Sequence, residues 1–429
     1  MRIAKPKGFF SPWGEVPRHA IPNNLSPKKK TDPHLMFHLR MPFVASLQRG
    51  HLSRNSHLHL SGNFFFMSRP GHSCFHTLPL PPSHVKINEV GPRDGLQNES
   101  SCSDSSDGLL TPYRRAFLAF LLKQANCHTV EAAAFVREDK VPAMAGAAQV
   151  FEHLRTLEGE NANKKDVWAR YVALVPNRKG AEKAIDAGVN SLAVVTCVSD
   201  AFANKNVGTK TWQDNLRLAC EAATTAARNA DVQRVRGYIS CSFACPYDTL
   251  TRAEDVAHSA AALADAGCTE IVLGDTDGRA SVRRLEENVT ALSRAGLEQD
   301  AIGVHFHDTF GQALVNVYAS LALGITSVDA SCAGLGGCPF APGATGNLAT
   351  EDLAFFAEGA GVSTGVDARR LLAAGRYAHA LACGDERLLV KLEQDWRDGK
   401  LGSGGDADVA KARPVAGRAA RAWPRKLGM

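Results

Sequence analysis

No two of the eleven cysteines stand in a CxxC pair; Cys241 and Cys245 come nearest. That excludes the paired-thiolate zinc ribbons and argues against a secreted disulfide scaffold, so the thiols read as reduced and mostly as small buried apolar residues. No window offers the roughly 18–20 uninterrupted apolar residues that a membrane helix needs. No GxGxxG opens a first helix, which removes the main signature of an open dinucleotide-binding sheet. Acidic residues are scarce at the two ends. From residue 1 to 84, eleven Lys and Arg stand against only Glu15 and Asp32, so this end carries more than the whole net charge of +5. The last 19 residues, from Lys411, hold six basic residues and no acidic one, which leaves the middle mildly acidic. A positive balance confined to the ends is no argument for a nucleic-acid partner.

Residues 1–84 are rich in Pro, His, Ser and Arg and show no sustained period. They are expected to be a disordered basic extension, either a transit peptide or a segment upstream of a true start at Met36, Met41 or Met67. Residues 386–429 are expected to form a polar, basic tail. Between them, over 85–385, the pattern changes. Short β-branched runs recur (VKINEVG, TVEAAAF, VWARYVALVP, SLAVVTC, VRGYISCSF, EIVLGDT, IGVHFHD, SVDASCAG), separated by Ala/Leu-rich stretches at helical spacing. Strand and helix in alternation predict parallel βαβ units, and eight of them predict an α/β TIM (β/α)8 barrel rather than a doubly wound sheet.

In such a barrel the reactive groups sit at the C-terminal ends of the strands. Strand one ends in Arg93 and Asp94, strand two carries Glu131, strand six ends in Asp275, and strand seven ends in His305 and His307. Residues i and i+2 of a strand share a face, so both imidazoles can reach one point, with Asp94 as carboxylate and the Asn347 amide oxygen as a fourth ligand. Nitrogen and oxygen donors without thiolate suit Mg2+ or Mn2+ and are compatible with Zn2+. An HxH alone is weak evidence; its place at a strand end beside a carboxylate is what gives it weight. Arg93 can stabilise a developing oxyanion, although adjacent opposite charges are also common surface pairs. Glu131, among small apolar residues, needs a partner, either Arg93 or a bound water, and a purely structural barrel ion pair is the alternative. The loop GLGGCPFAPGATGN, with five glycines and two prolines, reads as a lid at the C-terminal face. It delivers Cys338 as a general acid or base.

The segments NEVGPRDGLQNE, LVPNRKGAEKAIDAG, VRGYISCSFACPYD, HFHDTFGQAL and GLGGCPFAPGATGNLATEDL resemble the hydroxymethylglutaryl-CoA lyase family, in order, from Val85 to about Ala380. The strand-one Arg-Asp and the HxH are shared with isopropylmalate and homocitrate synthases; the GGCP lid is similar to that of the lyases. The resemblance implies cleavage of 3-hydroxy-3-methylglutaryl-CoA to acetyl-CoA and acetoacetate with Mg2+ or Mn2+. It implies Asp94, His305, His307 and Asn347 as ligands, and Arg93 as the group that stabilises the enolate. Cys338 becomes the lid thiol, and Glu131 and Asp275 become active-site acids. Arg93 and Gln97 are the expected substrate contacts, and His305 and Cys338 are the alternatives for the base. An acyl-CoA is the implied partner, without nucleic acid or membrane, in a dimer or larger assembly. The implied location is the cytoplasm of a bacterium or the mitochondrial matrix of a eukaryote. Two stretches depart from the family pattern: AAAFVREDK after Glu131 and TDGRASV after Asp275. They flank the substrate rim, which keeps open a longer-branched 3-hydroxy-3-alkylglutaryl-CoA, or a barrel that binds a cation without turnover.

Overall fold

The computed structural model describes residues 82–97, 108–163, 165–248, 251–336 and 346–402. Eight strands, β1 (Lys86–Glu89), β2 (Thr129–Ala134), β3 (Tyr171–Val175), β4 (Ser191–Cys197), β5 (Arg234–Ser240), β6 (Glu270–Gly274), β7 (Ile302–His305) and β8 (Ser327–Ala330), pair in parallel in chain order. β1 closes on β8 in the register Lys86↔Ser327 to Glu89↔Ala330. The expected closed barrel is therefore the observed one.

Helix α1 (Pro112–Gln124) connects β1 to β2, and α2 (Ala147–Glu158) with the short α3 (Lys165–Trp168) connects β2 to β3. Around the barrel follow α4 (Arg178–Asp186), α5 (Asp200–Asn206), α6 (Trp212–Ala227), α7 (Ala253–Asp265), α8 (Val282–Arg294) and α9 (Ala313–Ala322). The starts are set by local chemistry. Thr111, Asn177, Ser199, Thr211 and Ser281 each accept a backbone N–H of the following first turn, and Pro112 occupies a position that needs no donor. No helix among the described residues is long and apolar enough to cross a membrane.

After β8 come α10 (Thr350–Gly359), α11 (Ala368–Cys383) and α12 (Glu386–Arg397). The last differs from expectation, because the tail predicted from residue 386 begins with a docked helix. Asp385 caps it by accepting the Leu388 N–H at 3.0 Å, Leu389 and Leu392 are buried, and Trp396 stands edge-on to Phe120 with centroids 5.2 Å apart. Charged residues fill its outer face, so its composition reads as polar while the i, i+3, i+7 stripe of Leu389, Leu392 and Trp396 packs inward. Residues 1–81 of the expected N-terminal extension, and 403–429 of the tail, lie outside the described residues.

Candidate active site at the C-terminal mouth of the barrel

The turn that follows β1 is wide: the Asp94 and Gly95 N–H groups both reach back to the Val90 carbonyl, at 2.7 and 3.3 Å. A turn of this kind, with a five-residue reach, turns two successive side chains over the barrel mouth. Its close approach to the β8 loop requires glycine, since a Cβ at Gly95 would stand 2.8 Å from both Leu335 Cβ and Ser331 Oγ.

Arg93 is buried and saturated on one side. Its Nε and Nη2 donate to Glu131 Oε2 at 3.0 and 2.5 Å, and its Nη1 donates to Asp94 Oδ1 at 2.5 Å. Burial alone would lower the guanidinium pKa, but the Glu131 and Asp94 charges outweigh it and raise it, so Arg93 is permanently cationic. Asp94 also accepts Gln97 Nε2 at 2.9 Å and Asn347 Nδ2 at 2.8 Å. Burial opposes its ionisation, yet Arg93 and His305 hold its carboxyl down at about 2. The expected partner of Glu131 is thus Arg93.

Asp94, His305 and His307 bring one ligand atom each within 4.8 Å of one another. The two rings lie with centroids 5.3 Å apart. His307 sits past the end of β7, held by a bridge to Asn347 rather than by the strand ladder. The Asn347 amide nitrogen is committed to Asp94 and, at 3.0 Å, to the Leu335 carbonyl. That leaves Asn347 Oδ1 and His307 Nδ1 buried with no well-aligned hydrogen bond, the amide and the imidazole facing one another. Orphaned buried acceptors are costly unless something else occupies them. Two such atoms beside an ionised carboxylate and a second imidazole fit a divalent cation. Burial, then the neighbouring His305, lowers the His307 pKa to about 4, so its lone pair is available at neutral pH.

Asp275, past the end of β6, joins the site through its N–H, which donates to the His305 carbonyl at 2.8 Å. Its Oδ1 accepts the Ala280 N–H at 3.0 Å, and its Oδ2 is buried without a partner. Burial pushes this carboxyl up to about 7. Cys338 and most of the lid loop lie outside the described residues. Cys241 and Cys245 are buried beneath the rim.

Two buried acidic neighbours of the site escaped the sequence reading. Glu89 accepts the Gly91 and Cys332 N–H groups, both at 2.8 Å, and the Thr350 hydroxyl at 2.6 Å. Glu351 accepts the Ala333 N–H. These two buried carboxyls knit the β1 turn to the β8 loop and to α10. Burial pushes them up to about 7 and about 8, from an ordinary 4.5. The folded state therefore binds more protons than the unfolded chain between pH 4.5 and 8, and stability falls as pH rises through that window. Glu351→Gln is expected to flatten this fall. Its melting temperature at pH 8.5 should exceed the parent's by about 3 °C, and equal melting curves at that pH would remove Glu351 from the effect.

An HMGL-like family model matches residues 84–377, from just before β1 into α11. The chain belongs to the HMGL-like family. It is 40% identical over 296 residues to the mitochondrial hydroxymethylglutaryl-CoA lyase of Mus musculus, covering 69% of this chain and 85% of that one. It is 42% identical over 298 residues to the 3-hydroxy-3-isohexenylglutaryl-CoA/hydroxymethylglutaryl-CoA lyase of Pseudomonas aeruginosa, covering 69% and 92%. Among solved structures, it is similar to an HMG-CoA lyase from Acinetobacter baumannii in complex with coenzyme A and 3-methylmalate. The TM-score is 0.60 at 28% identity, covering 77% of this chain and 98% of that one.

Proposed function

We propose that this HMGL-like protein cleaves 3-hydroxy-3-methylglutaryl-CoA between C2 and C3, giving acetyl-CoA and acetoacetate, with Mg2+ or Mn2+ bound by Asp94, His305, His307 and Asn347. The observation that carries the reading is the juxtaposition of this ligand cluster with the Arg93–Glu131 pair at one barrel mouth. Held by these four residues, a divalent cation would supply the positive charge that lowers the proton affinity of the C3 hydroxyl. A base on the chain, for which the Cys338 thiolate is the candidate once His305 serves as a cation ligand, takes the hydroxyl proton; the C2–C3 bond breaks, and its electron pair passes into the thioester as an enolate. Arg93 spends three of its five N–H groups on Glu131 and Asp94, which fixes the guanidinium plane and leaves two for the developing enolate oxygen. Asp275 can hold a proton near neutrality and suits the return of one to C2.

We assign the coenzyme A arm of the substrate to a cleft beside the mouth. This cleft, of about 1410 Å3, opens between the loops after β2 and β3 and the end of α5, lined by Phe135, Lys140, Met144, Lys179, Lys183 and Lys205. Lys140, Lys179, Lys183, Lys205 and Arg137 outnumber Glu138, Asp139 and Asp186 along it, and this positive balance beside apolar surface suits the phosphates and the pantetheine chain of coenzyme A. Arg178, by contrast, points to Glu182 on the exposed face of α4.

Acetoacetate release from the chelator-stripped protein, with and without added Mg2+, tests the proposal. Cation-dependent release is expected; no release from folded, cation-loaded protein would refute it. The altered rim favours a second reading, in which a longer C3 branch is the better substrate, and a higher kcat/KM for an isohexenyl than for a methyl branch would establish it. Cys338→Ser is expected to slow turnover by about 10²-fold with cation affinity unchanged, as for loss of one proton-transfer group. Unchanged turnover would show that the thiol takes no part.

A further inference from the structure

The inside of a TIM barrel is normally filled by layers of branched apolar side chains. Here it carries a line of buried charge. Arg236 and Tyr238 on β5 reach across the barrel to Asp329 on β8. Arg236 Nη2 donates to Asp329 Oδ1 at 2.8 Å, and the Tyr238 hydroxyl donates to Asp329 Oδ2 at 2.7 Å. From the other side Arg236 Nε donates to Glu270 Oε2 at 3.1 Å, and Glu270 Oε1 accepts the Ser327 hydroxyl at 2.5 Å. The crossing of Glu270 to β8 needs Gly303 on β7, where a Cβ would stand 2.8 Å from Glu270 Oε1. Asp329 and Arg236 are each 1% exposed. Burying such a set is rarely a net gain over packed apolar side chains, so stability alone does not account for it.

The line ends at the site. Asp329 is the register partner of His305 across β7 and β8, and its Oδ2 lies 3.4 Å from His305 Nδ1. The other ring nitrogen, Nε2, faces Asp94 Oδ2 at 4.0 Å. Tyr238 stands edge-on to the imidazole, with centroids 6.3 Å apart and planes at 87°.

We propose that Asp329 is a positioning residue for His305, holding the ring with its proton on Nδ1 so that the Nε2 lone pair faces the cation, and that Arg236, braced by Glu270, fixes Asp329 in that pose. The inference rests on the reading of His305 as a cation ligand. A carboxylate behind a ligating imidazole fixes both its tautomer and its orientation. Asp329→Asn reverses the pattern at nearly constant volume. Its amide oxygen stays on Arg236, so its NH2 faces Nδ1, which must then accept; the ring proton moves to Nε2 and opposes the cation.

Mn2+ titration of the stripped protein, followed by electron paramagnetic resonance, tests this without reference to turnover. Asp329→Asn is expected to bind Mn2+ about 10- to 100-fold more weakly than the parent, while Tyr238→Phe, which keeps the carboxylate, stays within about threefold. Parent binding with an equal affinity in Asp329→Asn overturns the positioning role and leaves the ligand reading intact. Absence of Mn2+ binding in the parent overturns both. Should Asp329→Asn fail to fold, 15N-resolved spectra of the imidazoles in the Mg2+-loaded parent decide the matter. A protonated Nδ1 on His305 is the expected result, and a protonated Nε2 overturns the proposal.

Discussion

Arg93→Gln is expected to lower kcat for thioester cleavage by about 10³-fold, while Mn2+ affinity changes by less than about tenfold. The rate effect follows from geometry. Glu131 and Asp94 hold the guanidinium at three points and leave its remaining N–H groups for the reacting oxygen. A neutral amide of different reach supplies neither the charge nor the fork. Affinity is spared because Asp94 keeps two other donors, Gln97 and Asn347. A second effect comes with the first: the substitution strands Glu131, which is buried with its Oε1 already unpaired. Breaking one side of a buried pair costs about 3–5 kcal/mol, so the melting temperature should fall as well. The two effects separate in Arg93→Gln/Glu131→Gln, where stability should largely return and activity should not. If the double variant recovers turnover together with its melting temperature, Arg93 is a structural residue only. Retention of more than about a tenth of kcat in the single variant would carry the same message.

The strand frame was legible because each strand is a short β-branched run between turn signals, and the helices because the gaps carry Ala/Leu-rich stretches at helical spacing. The placement of Asp94, Glu131 and His305 at one mouth was legible once the barrel was assumed, because it follows from strand-end position. What failed to show were partnerships between residues distant in the chain. Arg236 and Asp329 are 93 positions apart and lie on strands that are not neighbours, so each appeared only as one charged residue in an apolar run. Such isolated charges were the available signal, and Glu270 and Glu89 carried it too. Helix α12 was missed for the opposite reason: its charged face dominated the composition and hid a regular apolar stripe.

His307→Ala is expected to weaken Mn2+ binding by at least about 100-fold and to leave the metal-free protein nearly as stable as the parent. The argument for affinity is a pair of atoms. His307 Nδ1 and Asn347 Oδ1 are buried with no well-aligned hydrogen bond, beside a carboxylate already ionised, so a cation is the group that completes them. The argument for stability is the same observation turned round. A side chain whose buried nitrogen lacks a well-aligned hydrogen bond contributes little that its removal would forfeit, beyond a modest packing loss. The two states should therefore respond differently to the ion. A cation at about 100 times its Kd stabilises the parent by about 2.7 kcal/mol, several degrees of melting temperature, whereas at the same concentration the variant should gain less than about 0.5 kcal/mol. Thermal melts with and without Mn2+ read this difference directly. An equal cation-induced rise in both proteins would take His307 out of the ligand set and leave its buried nitrogen to be explained by an ordered water.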